Sequence, residues 1–118
     1  MMDILIQNAT MVLPETTVIG DLLIADGIIS QIQPGGGIEA NENTHTIDAT
    51  GLHLLPGIID PQVHFRDPGQ PEKEDLYTGS CAAASGGVTS FLDMPNNVPS
   101  QTTLQSMYEK IETGNRRC

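Results

Sequence analysis

The second half of the chain alternates between strand-type and helix-type segments, and this alternation restricts the fold more than any other feature. An apolar run over residues 52–59 precedes a helical pattern over residues 73–85. A second run over residues 88–94 precedes a second helix that ends near Thr113. Strands that alternate with helices form parallel sheets, because each helix carries the chain back to the start of the next strand. The sequence therefore predicts two strand–helix units of an α/β fold.

Both predicted helices have recognisable ends. The first ends at Gly86-Gly87, since glycine readily adopts the conformation that terminates helices. In the second, Thr102 and Gln105 can form a capping box. Its apolar residues share one face at helical spacing: Leu104, Met107, Tyr108 and Ile111.

The first 50 residues have a different character. Short aliphatic runs occur at residues 3–7 and 21–25, and Asp26-Gly27 separates the second run from another at residues 28–32. Asp-Gly tolerates the positive φ angles of a tight turn, so we predict a β-hairpin there. Residues 34–44 are rich in glycine and polar side chains and are predicted to form a loop. We therefore expect a small β-domain portion over residues 1–50 and the α/β part over residues 51–118.

Charge and cysteine content exclude several classes of partner. The formal net charge is -10, which repels nucleic acid phosphates and anionic membrane surfaces, so neither is an expected partner. Cys81 and Cys118 are too few for a disulfide scaffold, and Cys81 is expected to pack as a small apolar side chain. Without a basic, apolar leader or a long apolar run, the chain is expected to be cytoplasmic.

Polar side chains cluster where the first strand of the α/β part ends. Ligands of parallel α/β folds bind at the carboxyl ends of the strands. Side chains alternate along a strand, so Gln62, His64 and Arg66 are expected to project to one side and to converge on one ligand.

Four segments, in order and spacing as well as in letters, resemble the opening of dihydroorotases of the amidohydrolase superfamily: Pro56-Gly57-Ile58-Ile59-Asp60, His64-Phe65-Arg66-Asp67-Pro68-Gly69, Lys73-Glu74-Asp75 and Met94-Pro95-Asn96-Asn97. The similarity covers residues 50–103, and residues 1–50 resemble the small β-domain that precedes the barrel. It implies a TIM-type barrel and a zinc-dependent hydrolase that interconverts carbamoyl-aspartate and dihydroorotate in pyrimidine synthesis. Such a barrel takes about 250 residues, so this chain would hold only its first two βα units.

The resemblance assigns the metal-binding positions. His64 matches the second histidine of the family's paired zinc motif and is expected to be a metal ligand. Gln62 stands where the first histidine is expected, and an amide oxygen binds zinc more weakly than an imidazole nitrogen does. Gln62 is thus a doubtful ligand. Three alternatives remain: one metal instead of two, a site completed by other residues, or lost activity.

The resemblance also assigns substrate contacts. Arg66 matches the residue that holds the carboxylate of dihydroorotate, and Asn96 a second residue that donates to the same group. The alternative for Arg66 is a surface arginine paired with Asp67 or Asp60. Asp60 either orients a ligand from behind or caps the strand end, and Asp67 is expected to form a turn.

The family's remaining zinc ligands and its catalytic aspartate would lie beyond residue 118. We therefore expect zinc to have an incomplete site here, no catalytic residue within this chain, and no activity from the chain alone. The rival hypotheses are a non-catalytic homologue that assembles with aspartate carbamoyltransferase, which Gln62 favours, and another cyclic amidase of the allantoinase or hydantoinase type. A homo-oligomer is compatible with either.

Overall fold

The computed structural model describes residues 2–118 and divides the chain into two compact units. One ends at Pro56 and the other begins at Gly57, whereas the sequence suggested a division between residues 50 and 51. The difference arises from His53–Leu54, which pairs with a strand of the first unit.

The first unit is a five-stranded sheet. Its strands are β1 (Asp3–Val12), β2 (Thr17–Ala25), β3 (Ile28–Pro34), β4 (Thr44–Asp48) and β5 (His53–Leu54). The order is β3-β2-β1-β4, with β5 also paired to β1. The pairs β1–β2 and β2–β3 are antiparallel, whereas β4 and β5 run parallel to β1. The predicted hairpin is confirmed: Asp26 and Gly27 have φ angles of 52° and 79°. Strand β4 lies just beyond the predicted loop and was not predicted.

A buried carboxylate joins the loop after β3 to this sheet. Asp21 is 2% exposed and accepts hydrogen bonds from the backbone N–H groups of Asn8 (3.0 Å), Gly37 (2.8 Å) and Ile38 (3.1 Å). Burial acts to raise the pKa of Asp21, but the three N–H donors outweigh it and hold the pKa below its ordinary value of 3.8. The ionised carboxylate therefore stabilises the fold of this unit.

The second unit contains two strand–helix repeats: β6 (Ile58–Val63), α1 (Leu76–Ser85), β7 (Val88–Asp93) and α2 (Leu104–Arg117). Strands β6 and β7 are parallel, as the alternation predicted. The first strand was predicted over residues 52–59, with Pro56-Gly57 either bending it or marking its entry, and the second alternative is the one observed. Pro56-Gly57 separates two segments, of which β5 belongs to the first unit and β6 starts at Ile58.

The helix ends agree with the sequence in α1 and differ in α2. Asp75 caps α1 by accepting from the Thr78 backbone N–H (2.8 Å), and the helix ends at Gly86 as predicted. In α2 the capping box is formed by Thr103 and Ser106, one residue later than predicted. The helix continues to Arg117 instead of ending near Thr113, because Gly114 is tolerated inside it.

The predicted apolar face of α2 is present but exposed, with Leu104 77% and Tyr108 66% exposed. The prediction that Cys81 packs in the core was wrong: its side chain is exposed, and the buried residues of α1 are Leu76 and Gly79. Within residues 2–118, no helix combines the length and apolar character needed to cross a lipid bilayer.

Replacing Asp21 with asparagine is expected to destabilise the first unit by about 2 kcal/mol near pH 7, since an amide group then faces a backbone N–H donor. Because the pKa of Asp21 is lower in the folded state, its contribution is complete above about pH 4 and is lost as the pH falls through the folded-state value. Urea unfolding followed by NMR signals of β1 and β2 measures this. Asp26→Asn, in the exposed turn, is the control; parallel pH profiles for wild type and Asp21→Asn would contradict the assignment.

Replacing Gly79 with alanine is expected to destabilise the second unit by about 1–3 kcal/mol. A Cβ atom there would lie 2.5 Å from Phe65 Cε1, inside the buried contact between α1 and that ring, which outweighs the higher helix propensity of alanine. Gly114→Ala is the matched control, because nothing lies within 4 Å of its added Cβ atom, and it should stabilise by up to about 1 kcal/mol. Tyr77 and Tyr108 report unfolding of this unit by fluorescence. Equal effects of the two substitutions would rule out the steric explanation.

Candidate functional site

The site lies where the two parallel strands of the second unit end. After Val63 the chain leaves β6, and after Asp93 it leaves β7, so the segments that follow start at the same edge of the sheet. There the Nδ1 atom of His64 lies 3.1 Å from the Oδ1 atom of Asn96. Both residues are exposed. The fold thus brings together two of the residues that the sequence singled out, from positions 32 residues apart.

This contact determines which nitrogen of His64 is available. Because an amide oxygen only accepts hydrogen bonds, this contact is a hydrogen bond in the tautomer of His64 that carries its proton on Nδ1. The lone pair of Nε2 is then free for a metal ion or an acid. Metal-binding histidines commonly donate their second N–H group to an oxygen in this way. The geometry at His64 is therefore suited to metal binding through Nε2.

Arg66 lies in the same segment, and its backbone is fixed at both polar groups. Its N–H donates to the Glu74 carbonyl (3.0 Å), and its carbonyl accepts from the Gln70 N–H (2.8 Å). Among the described residues, no carboxylate forms an ion pair with its side chain. Asp67 lies in a turn, as expected, and its side chain is also buried and paired with Arg117. The guanidinium group is thus free to bind an anion.

Asp60 and Gln62 contact each other through the backbone. The Oδ1 atom of Asp60 accepts from the N–H group of Gln62 at 3.0 Å, and the Gln62 residue is exposed. This hydrogen bond stabilises the end of β6 immediately before His64. Asp60 therefore supports the strand end, which is one of the two roles weighed for it.

The described residues alone do not make a zinc site. In residues 2–118, no three His, Cys, Asp or Glu side chains are grouped to hold a metal ion. Protein zinc sites use three or four ligands. The donor set at this edge, one imidazole and the weak amide of Gln62, fits a partial site only.

Three side chains form a hydrogen-bonded network around the backbone N–H and carbonyl groups of Phe65, which lies between His64 and Arg66. Asp93 Oδ1 accepts from the Phe65 N–H (3.1 Å), and Asn97 Nδ2 donates to the Phe65 carbonyl (3.0 Å). Lys110 Nζ lies 2.5 Å from Asp93 Oδ2 and donates to Asn97 Oδ1 (2.6 Å). The buried Phe65 ring meets Phe91 edge to face, with centroids 4.8 Å apart. The segment that carries His64 and Arg66 is therefore rigidly held.

Sequence reasoning missed Asp93, Asn97 and Lys110. Asn97 was named only as the last residue of the motif Met94-Pro95-Asn96-Asn97, and Asp93 only fell within the apolar run of residues 88–94. The available signal was Lys110, a lysine beside the apolar face of α2 between Met107 and Ile111. A lysine in such a place is seldom buried without a partner, and here its side chain is 12% exposed.

Known proteins resemble this chain over its whole described length. The model of the amidohydrolase family matches residues 53–115. The dihydroorotase of Methanothermobacter thermautotrophicus is 44% identical over 117 residues, which are 99% of this chain and 26% of that protein. The dihydroorotase of Citrifermentans bemidjiense is 53% identical over 79 residues, which are 67% of this chain and 18% of that protein.

Among solved structures, the L-hydantoinase (dihydropyrimidinase) from Arthrobacter aurescens is similar with a TM-score of 0.78 at 30% identity, over 97% of this chain and 25% of that one. The chain thus spans about a quarter of the length of the curated relatives and solved structures that it matches along nearly all its residues. Because the family match covers more than half of the chain, we conclude that this chain belongs to the amidohydrolase family.

Proposed function

We propose that this chain is the substrate-binding and metal-binding opening of a dihydroorotase-like hydrolase, which interconverts carbamoyl-aspartate and dihydroorotate. In this proposal β6, α1, β7 and α2 are the first two βα units of a TIM-type barrel, and the first unit is part of the small β-domain. One observation carries the proposal: His64 contacts the Asn96 amide at one strand edge, and Arg66, two residues further along the same segment, has no ion-pair partner among the described residues. The dihydroorotase names of the relatives support it.

His64 would hold zinc through Nε2, with its other ligands supplied by the part of the relatives that this chain does not span. Zinc, when bound, lowers the pKa of a water molecule so that hydroxide can attack an amide carbonyl. The contribution of this chain is to orient the imidazole: the Asn96 oxygen keeps the proton on Nδ1, which directs Nε2 outward.

Arg66 and Asn96 would bind the carboxylate of the substrate. A guanidinium group matches a carboxylate with two parallel hydrogen bonds. The Nδ2 group of Asn96 can donate to the same carboxylate, because its Oδ1 atom is the one directed at His64. Together they would hold the ring in a fixed orientation beside the metal ligand, and this positioning lowers the barrier to attack.

A second candidate is a cyclic amidase that acts on rings without this carboxylate. The hydantoinase structures, which match nearly all of the chain, favour it. Arg66 favours the first candidate, because a cation left without a carboxylate partner is of little use for a neutral ring.

A non-catalytic homologue that assembles with aspartate carbamoyltransferase is the alternative favoured by Gln62. An assembly role requires no metal, and a homo-oligomer is compatible with it. The three proposals differ in what a complete barrel containing this segment would hydrolyse, so a chimera separates them. In it, this chain replaces the matching 117-residue segment of the Methanothermobacter dihydroorotase.

The chimera is expected to hydrolyse dihydroorotate, and Arg66→Met should lower its kcat/KM by about 10- to 100-fold, the equivalent of a charge-assisted hydrogen-bond pair. Turnover of a hydantoin should change far less, because that ring lacks the carboxylate. Arg116→Met, at an exposed position in the last turn of α2, is the control. An equal loss for both substrates would argue against carboxylate binding by Arg66.

Gln62→His in the chimera is expected to raise zinc affinity by about tenfold or more, because imidazole replaces a weak amide donor. His64→Ala should abolish tight zinc binding. Metal analysis after dialysis against a chelator series measures both. If the chimera is folded but inactive and Gln62→His restores hydrolysis, Gln62 has removed the activity and the non-catalytic proposal is favoured.

A further inference from the structure

We propose that Lys110 is a positioning residue, which sets the orientation of His64 and Arg66 without contacting either of them. This proposal deepens the proposed function and rests on it for its catalytic meaning. The geometry on which it stands is a closed ring of contacts from Phe65 to Asp93, Lys110 and Asn97 and back to Phe65. Lys110 is the only member of the ring that belongs to α2.

Charge and burial make Lys110 necessary to the ring. The side chains of Lys110 and Asp93 are only 12% and 7% exposed. Removing the ammonium group would leave a buried carboxylate without its counter-charge, which is strongly unfavourable. Asp93 would then turn toward water, and this change weakens its acceptor role toward the Phe65 N–H group.

Lys110 also fixes the orientation of the Asn97 amide. An ammonium group only donates, so it selects the oxygen of the amide, Oδ1, at 2.6 Å. The Nδ2 group is thereby turned toward the Phe65 carbonyl, to which it donates at 3.0 Å. In the flipped orientation two oxygens would face each other. The cation therefore determines both hydrogen bonds that hold the Phe65 peptide.

The ring acts on both halves of the site. His64 and Arg66 are the residues on either side of Phe65, whose backbone the ring of contacts holds. Asn97 directly follows Asn96, whose Oδ1 atom lies 3.1 Å from His64 Nδ1. Displacement of either clamping side chain thus changes the His64–Asn96 contact. That contact selects the protonated nitrogen of His64 and so the nitrogen available to a metal.

Apolar packing does not replace Lys110 in this role. Between α2 and its neighbours lies a cavity of about 670 Å³, lined by Met107 and Ile111 on the helix and by Leu76, Phe91 and Leu92 opposite. No residue of α2 is fully buried. Among the described residues, its ion pairs are those of Lys110 and of Arg117, which binds Asp67 and Asp75.

The test uses the 118-residue chain, labelled with nitrogen-15, without metal or substrate. NMR of the imidazole nitrogens of His64, recorded with the imidazole in its neutral form, gives the ratio of Nδ1–H to Nε2–H tautomers. In Lys110→Met this ratio should fall by about fivefold or more, the equivalent of one hydrogen bond, and exchange of the Phe65 amide should quicken about tenfold. Lys110→Arg, which keeps the charge, should restore much of both. Lys73→Met is the matched control and should change neither, because this lysine is exposed and its Nζ group donates to Gln70 Oε1 (3.1 Å), away from Phe65.

Asn97→Asp leaves Lys110 in place and keeps an oxygen atom that accepts from its ammonium group, but it removes the N–H donor to the Phe65 carbonyl. This variant therefore tests the ring of contacts even if Lys110→Met unfolds the unit. It too should lower the tautomer ratio. The proposal is overturned if folded Asn97→Asp, or folded Lys110→Met, keeps the wild-type tautomer ratio and exchange rate. Because neither readout needs catalysis, failure of the hydrolase proposal would leave these results unchanged, and the reverse also holds.

Discussion

The parallel pairing of β6 with β7 is the constraint on which the candidate site depends. Because the two strands run in the same direction, both finish at one edge, and the segments after Val63 and Asp93 start side by side. An antiparallel arrangement would place the end of one strand beside the start of the other. Pairing of neighbouring strands thus brings His64 and Asn96 to 3.1 Å although 32 residues separate them. The strand–helix alternation in the sequence therefore also predicts the edge of the sheet at which the site lies.

Local rules explain which elements the sequence predicted. The turn at Asp26-Gly27 and the helix end at Gly86-Gly87 depend on the backbone preferences of a few adjacent residues. Both were predicted correctly. The start of the first strand in the second unit was left open between two alternatives. Leu52 to Leu55 have the same apolar character as Ile58 and Ile59, and only pairing with β1 or β7 distinguishes them. The short polar strand β4 was missed because its pattern resembles a loop.

The same argument separates the parts of the site. The motif residues His64, Arg66 and Asn96 were visible because they follow strands, where ligands bind. The contacts that hold the Phe65 backbone could not be predicted from the sequence, because Lys110 lies 13 residues from Asn97 and on another element. Tertiary structure also decides which acidic residues are paired: Arg117 binds Asp67 and Asp75, and no carboxylate among residues 2–118 forms an ion pair with Arg66. The sequence had offered a pairing of Arg66 with Asp67 or Asp60 only as the alternative to substrate binding.

The attachment of α2 has a mechanical consequence. Lys110 and Arg117 are seven residues apart, or about 10 Å along the helix axis, and each is tied to a strand-end segment of the unit. A helix attached at one point can pivot about it, whereas attachment at two points prevents this movement. Attachment at both points fixes the direction of α2 relative to the segments that follow β6 and β7, so this helix stiffens the strand edge that carries His64.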